Sequence, residues 1–292
     1  MDFDCFKDLY SLQFSPYAFS QSGIPGKHFK KLANSLKSKK TQINFHEIWI
    51  GAYPNARWTE KIIGWVQKRE IIKFLSTINS RIITTSNSAA LDRLGREGID
   101  AKYLYLSGSI PNFSFQSKNR KKHLQVIFFG SLYSKFPYQI LFERLTRISI
   151  SSERKIEIKI IGIQRENSSF KKIFALSKKH NFSLSKTGEL KPEQVSQEFK
   201  FSSIAISTTP YDVIGKSSAT VAMLEHGLPV LVYNDGDTPE ESLFILDQFK
   251  DQIFLLNDPF SDKKLLHFLN KNPKPFFDGV AYTAKKMLEI CH

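Results

Sequence analysis

Ile204-Ala205-Ile206, the loop Thr208-Thr209-Pro210-Tyr211-Asp212-Val213-Ile214, the tetrapeptide Gly215-Lys216-Ser217-Ser218 and the run from Ala219 to Val232 spell out one β-α-β step. A short apolar run bounded by turn residues reads as a buried strand. The helix opens at Gly215–Ser218, carries Ala219, Val221, Ala222, Met223 and Leu224, and stops at Gly227. Pro229-Val230-Leu231-Val232 then starts the next strand. A helix that begins beyond a strand's carboxyl end presents unpaired backbone N–H groups and the positive end of its dipole. Gly215 would let a ligand approach the backbone, Lys216 adds a charge, and Ser217 or Ser218 adds a hydroxyl. Together they suit a phosphate. An ordinary N-cap serine beside a solvated lysine accounts for the same residues, and both readings stand at this point.

The alternation continues on either side. Strands are expected at Tyr10–Phe14, Gln42–His46, Arg81–Thr84 and Lys102–Leu106, then at His123–Phe129, Lys155–Ile161, Phe182–Ser185, Ser203–Ser207, Pro229–Tyr233 and Gln252–Leu255. Phe29, Leu32, Ala33 and Leu36 fall on one helical face, and Lys61–Leu75 has helical periodicity. Strand and helix repeated this often predict an α/β protein, with parallel sheets covered by helices on both faces. Gly108, Pro111 and Asn112, followed by the basic run Lys118–Lys122, read as a linker. The expected domains are 1–112 and 123–278, with 279–292 a closing helix that packs back toward the first. Six strands after the linker make a doubly wound complement; the first domain is short by one or two βα units.

The 292 residues are 41% hydrophobic and 24% charged, which excludes a disordered or fibrous chain. A net charge of +14 favours an anionic partner. Cys5 and Cys291 make no disulfide framework or zinc cluster, and a cytoplasmic setting fits them. Met1-Asp2-Phe3-Asp4 lacks the basic start of a signal peptide, and no apolar run approaches the roughly 18 residues that span a bilayer. The expectation is a soluble protein, or one attached peripherally at the inner membrane face.

His28, His123, His180, His226, His267 and His292 show no metal-ligand spacing. Asp2-Phe3-Asp4 and Asp235-Gly236-Asp237 have the DxD pattern of a metal-diphosphate site, but Asp-Gly is equally a turn signal, so no metal is assigned. Neither a GxSxG nor a GxGxxG motif is present, which removes the main support for a serine hydrolase or a dinucleotide oxidoreductase. Gly215-Lys216-Ser217 matches the end of a P-loop, yet Pro210 holds the place of its first glycine. Lys27, Lys30, Lys31, Lys37, Lys39 and Lys40 form a solvated basic face or one that lies against anionic lipid. Without interleaved stacking aromatics they do not suit nucleic acid.

Several stretches carry a resemblance to a known family. Val126-Ile127-Phe128-Phe129-Gly130-Ser131-Leu132 looks like a first strand and glycine turn, and Lys155–Gly162 like a second strand. Thr187-Gly188-Glu189-Leu190 and Ala222-Met223-Leu224-Glu225-His226-Gly227-Leu228-Pro229-Val230 follow in order, and Ile43-Asn44-Phe45-His46-Glu47-Ile48-Trp49-Ile50-Gly51 precedes them. In the first half, Thr84-Thr85-Ser86-Asn87, Leu91 and Gly98-Ile99 fit the same pattern. Taken in order, the chain resembles GT-B glycosyltransferases of the group 1, or family 4, type. That implies two Rossmann-like doubly wound parallel-sheet domains, the first incomplete.

The resemblance implies transfer of a sugar, of the hexosyltransferase type and without a metal, from a nucleotide-sugar donor. The acceptor would be a saccharide or a lipid-linked saccharide, as in polysaccharide biosynthesis. The nucleotide-sugar is a substrate, and no cofactor is expected. Donor-binding residues would be Gly130, Ser131, Lys135, Glu189, Leu190, Gly215, Lys216, Ser217 and Ser218. His46 and Glu47, just past a strand's carboxyl end, would face the acceptor hydroxyl, the imidazole orienting or deprotonating it. Capping of the strand by the same polar pair is the competing reading. The sequence departs from the family at both positions where it carries glutamates, which here are Ile214 and Ala222. Ser131 stands where many members have an arginine, with Lys135 one place early. A catalytically degenerate nucleotide-binding or interaction protein of the same fold is therefore the alternative, and an NTP hydrolase a third.

Overall fold

The computed structural model describes residues 9–291 apart from 22, 25, 52–55, 114–121, 164–166, 235–246, 259 and 271–275, and for 88, 212, 247 and 248 the backbone alone. The DxD aspartates Asp2, Asp4, Asp235 and Asp237, the thiol of Cys5 and the basic run Lys118–Lys121 lie outside these residues. The chain divides into two compact units, residues 1–105 with 283–292, and residues 106–282.

The first unit runs β1 (Leu9–Phe14), α1 (Pro16–Phe19), α2 (Gly26–Leu36), β2 (Lys40–Phe45), α3 (Trp58–Thr77), β3 (Ser80–Thr85), α4 (Ser88–Arg96) and β4 (Lys102–Tyr103). Its four strands are parallel and lie in the order β1-β2-β3-β4. The order never reverses, so this sheet is one arm of a doubly wound sheet; among the described residues no strand lies beyond β1. Right-handed crossovers that all step in one direction put their helices on one face. The packing agrees: Phe14, Ile43, Phe45 and Ile83 from the strands bury against Phe29, Ala33 and Leu36 of α2, Phe74 and Leu75 of α3, and Leu94 of α4. Phe29 and Phe74 stack with ring centroids 4.1 Å apart. Gly64 lets α3 approach the 48–51 loop, since a Cβ there would collide with the Ile50 carbonyl.

Alternation in β2 puts Gln42 and Asn44 on the opposite face. This second face is polar. Ser11 Oγ donates to Gln42 Oε1 (2.7 Å), Gln42 Nε2 to Thr84 Oγ1 (2.6 Å), Thr84 Oγ1 to Asn44 Oδ1 (3.0 Å), and Asn44 Nδ2 to Gln13 Oε1 (3.0 Å). Gln42, Asn44 and Thr84 are buried, which such a ladder permits because each polar group finds a partner.

The second unit holds β5 (His123–Phe129), α5 (Tyr138–Ser152), β6 (Lys155–Ile161), α6 (Ser168–Lys179), β7 (Ser183–Lys186), α7 (Pro192–Phe201) and β8 (Ile204–Ile206). A 3-10 helix (Tyr211–Lys216), α8 (Ser218–Glu225), β9 (Val230–Val232), α9 (Asp247–Lys250), β10 (Ile253–Leu255), α10 (Ser261–Leu269) and α11 (Gly279–Cys291) follow. Residues of α11 from Thr283 onward belong to the first unit. Cys291 is buried there, its carbonyl accepting from Lys40 Nζ at 2.9 Å. The sheet order is β7-β6-β5-β8-β9-β10, all parallel. This is the doubly wound order, in which the chain starts at the centre and reverses direction once, between β5 and β8. The central strands β5, β8 and β9 are buried at nearly every position, as central parallel strands covered on both faces must be, whereas β6 alternates apolar with charged residues and the edge strand β7 is mostly exposed.

The division after Tyr105 comes earlier than the expected boundary at 112, because the segment after it packs on the second unit. Gly108 N donates to Glu225 Oε1 (3.0 Å), Ser109 N to Ser218 O (3.3 Å) and Phe113 N to Ser196 Oγ (3.2 Å). A Cβ on Gly108 would stand 2.5 Å from Ala222 Cα, so only glycine lets this strap lie against α8.

His226 caps α8 inside the same packing. Its Nδ1 lies 2.7 Å from Ala222 O and its Nε2 3.0 Å from Ser196 Oγ, so the ring donates to the carbonyl and accepts from the hydroxyl. Burial holds the imidazole below its usual pKa, with the Ala222 carbonyl opposing that shift. An unfolded chain takes up this proton near pH 6.5 while the native state resists it. Below that pH the unfolded state binds more protons, so this contribution is complete above about 6.5 and fades as pH falls. Urea midpoints measured between pH 7.5 and 5.5 should fall more steeply for the parent than for His226→Gln; parallel slopes would remove His226 from the account.

Among the described residues, no helix is long and apolar enough to cross a membrane.

Candidate functional site

Ligands of open α/β sheets collect outside the carboxyl ends of the strands that flank the reversal. In the second unit these are β5 and β8. β5 leads into Gly130, whose φ of +90° is open to glycine and strained for other residues. A Cβ at Gly130 would stand 2.8 Å from Ala219 Cβ, which puts this turn directly against the first turn of α8. Thr208, just past β8, staples the turn in place: its Oγ1 donates to Ser131 O (2.6 Å) and accepts from Tyr133 N (3.1 Å).

α8 opens at Ser218 with Ser217 as its cap, Ser217 Oγ accepting from Thr220 N at 3.2 Å. Thr209 Oγ1 also donates to Ser217 Oγ (3.3 Å), and Ser207 Oγ lies 2.8 Å from Thr220 Oγ1. Hydroxyl groups therefore line the space beneath the helix start, where a fully apolar lining would leave amides unsatisfied.

The structure thus brings Gly130, Ser131, Ser217 and Ser218 to one place, with Lys216 one residue before the cap. Gly215 precedes Lys216 on the same segment. Tyr211–Lys216 wind as a 3-10 helix, and Gly215 is buried within it beside Ile214, because this turn anchors the loop to the core. The wrapping loop of a P-loop is therefore absent from this stretch. Lys135 is exposed in the turn after Ser131. Glu189, exposed, and Leu190, half-buried, follow β7, two strands from β5 and roughly 10 Å across the sheet. The Gly162–Gly188 bridge and the Thr187 Oγ1 bond from Gly162 N (3.1 Å) hold that segment to the end of β6.

The two positions where the resemblance places glutamates are core. Ile214 and Ala222 are both 0% exposed. Glu225 is 3% exposed and its carboxylate accepts from Gly108 N, so it serves the strap.

His46 and Glu47 sit past the carboxyl end of β2 in the first unit. His46 Nε2 lies 2.8 Å from Gln13 Oε1, and Ser15 Oγ donates to Glu47 Oε2 at 3.0 Å. An amide oxygen accepts only, so Nε2 donates in this contact, with Asn44 Nδ2 3.5 Å from the same nitrogen. Gln13 is itself oriented by Asn44 Nδ2 and by its own bond to Ser11 Oγ (3.2 Å), so the polar ladder of the first sheet ends at this imidazole. Sequence reading did not single out Gln13, Asn44 or Thr84. Their signal was the polar-apolar alternation of Gln42-Ile43-Asn44-Phe45 in a strand buried at nearly every position. Among the described residues, no group of His, Cys, Asp and Glu is arranged to hold a metal ion.

No protein-family model matches the sequence, and no curated protein matches it. Solved structures do. The chain is similar to TarM, with TM-score 0.52 and 14% identity over 97% of this chain and 54% of that one. It is similar to a chain in the structure of accessory secretory proteins 1, 2 and 3 of Streptococcus pneumoniae, with TM-score 0.55 and 12% identity over 98% of this chain and 51% of that one. The fold is that of the GT-B glycosyltransferases, with two Rossmann-like parallel-sheet domains. The chain spans about half the length of these structures.

Proposed function

We propose that this protein transfers a sugar from a nucleotide-sugar donor to a saccharide or lipid-linked acceptor. One observation carries the reading: the sheet reverses between β5 and β8, and at that point a positive-φ glycine turn abuts the start of α8. The donor diphosphate would lie at residues 216–218, with Gly130 and Ser131 allowing close approach from the β5 side. As the glycosidic bond to the diphosphate breaks, negative charge grows on the departing oxygen. Backbone N–H groups of α8 and the Lys216 ammonium, fixed before the reaction, would stabilise that charge without a metal ion. Lys135, Glu189 and Leu190 would stand further out, toward the nucleotide. On the first unit, His46 would orient or deprotonate an acceptor hydroxyl, with Glu47 beside it. A lipid-linked acceptor would place the protein peripherally at the inner face of a membrane.

The second reading is a nucleotide-binding or interaction protein that has kept the fold and lost turnover. The apolar, fully buried Ile214 and Ala222 favour it.

Isothermal titration with UDP- and GDP-sugars, followed by a transfer assay, tests both. Lys216→Ala should weaken donor binding about tenfold or more, the scale of one charge-assisted contact, with an unchanged melting curve. Equal affinity in parent and variant would remove Lys216 from the site. Donor binding without turnover would select the second reading, and MgATP binding with phosphate release would select an NTP hydrolase.

A further inference from the structure

α3 is apolar on two opposite faces, and only one of them is explained by the core. Ile71, Phe74 and Leu75 are buried with the sheet and α2, and Gly64 and Gln67 against the 48–51 loop. On the far side, Trp58 is 73% exposed, Ile62 55% and Trp65 61%. At about 100° per residue, positions 58, 62 and 65 fall within one narrow stripe along the helix. Single exposed apolar side chains are ordinary, but two tryptophans and an isoleucine in register are not, and among the described residues of this unit no packing covers them.

The stripe has a basic surround. Lys61, Arg69 and Lys73 are exposed on the same side of α3, with the Arg69 guanidinium 5.8 Å from the centre of the Trp65 ring. Arg57, just before the helix, is exposed. The acids of α3, Glu60 and Glu70, are half-buried, and the Glu60 carboxylate accepts from Arg57 N at 2.9 Å. α2 packs beside α3 in the same layer and exposes Lys27, Lys30 and Lys31, and its sequence holds no acid. Aromatic and aliphatic side chains therefore project from the middle of a broad positive surface.

We infer that the α2–α3 face of the first unit docks on an anionic lipid surface, with Trp58, Ile62 and Trp65 seated at headgroup level and the surrounding lysines and arginines against lipid phosphates. Charge complementarity decides the occupant. Tryptophan favours the water–bilayer boundary, where its ring is apolar and its N–H remains solvated. A cationic helix face with such rings lies in the membrane plane. The stripe exposes on the order of 400 Å², well short of the roughly 800 Å² a side of a stable protein interface. A bilayer sets no such minimum, and its surface charge engages every basic residue of both helices. This assigns a surface to the membrane contact proposed above. Vesicle binding is read without turnover, so it can fail while sugar transfer stands, or hold while transfer fails.

The test uses the full chain, flotation, and vesicles of phosphatidylcholine alone or with phosphatidylglycerol at about one part in three. The expected result is binding to the anionic vesicles only, weakened by added salt and accompanied by a blue shift of tryptophan emission. Trp58→Ser combined with Trp65→Ser should cut binding at least tenfold while leaving circular dichroism and melting unchanged, since both side chains already face solvent. Lys61→Glu combined with Arg69→Glu should cut it by a similar factor. The proposal is overturned if the parent stays unbound with anionic vesicles, or if the tryptophan variant binds as the parent does. It is also overturned if that variant instead dissociates a dimer of the parent in vesicle-free solution, which would make a second copy the occupant.

Discussion

Replacing Arg144 with alanine is expected to destabilise the second unit by about 3–5 kcal/mol, the scale for breaking one side of a buried ion pair. Arg144 projects from α5 and is 0% exposed. Its guanidinium donates to the Leu255 carbonyl and to Ser261 Oγ (2.6 Å), and it pairs with the Asp262 carboxylate, which also takes Arg147 at 3.2 Å. Burial pulls the guanidinium's pKa down, and Asp262 opposes that shift. The side chain ties α5 to the end of β10 and the first turn of α10. Alanine would leave a carbonyl, a hydroxyl and a carboxylate facing a cavity. Urea unfolding followed by circular dichroism measures the loss. A change below about 1 kcal/mol would mean that water replaces the guanidinium without penalty, contrary to the usual cost of unpaired buried polar groups.

The second large effect is expected on ligand binding. Gly130→Ala should weaken nucleotide-sugar affinity by more than tenfold, which is about 1.4 kcal/mol, and lower stability by about 1–3 kcal/mol. The backbone at φ +90° resists a side chain, and the new methyl would meet Ala219 Cβ at 2.8 Å. Relief requires the β5 turn to move off the start of α8, and the Thr208 bonds to Ser131 and Tyr133 would be strained by the same shift. Calorimetry with UDP- and GDP-sugars separates the two losses, because a variant that is folded at the working temperature reports affinity alone. Parent-like affinity in a folded Gly130→Ala protein would move the donor site away from this turn.

Much of the architecture was readable before any tertiary information. His123–Phe129 and Lys155–Ile161 were expected at the bounds they have, since an apolar run before a glycine and a strict alternation of Ile with charge need no distant partner to declare themselves. Ser217 was readable as a cap and Gly227 as a stop for the same reason. The second face of the first sheet was not. There Gln42, Asn44 and Thr84 satisfy one another across β2 and β3, a set of partners that strand register chooses. The 3-10 turn that holds Gly215 was not legible, because a glycine beside a lysine looks the same in an open loop and in a buried turn.

Local periodicity and turn chemistry therefore determined the strands, the helices and the placing of a glycine after β5, since those signals act over a few neighbouring residues. Tertiary structure alone decided that β8 pairs with β5, which brings Gly130 to α8. It also decided that Glu225 serves Gly108, that Arg144 finds Asp262, and that Gln13 holds His46. Each of these joins residues far apart in the chain, and such pairs are selected by register and by the cost of leaving buried polar groups unpaired. No short window of sequence records that choice.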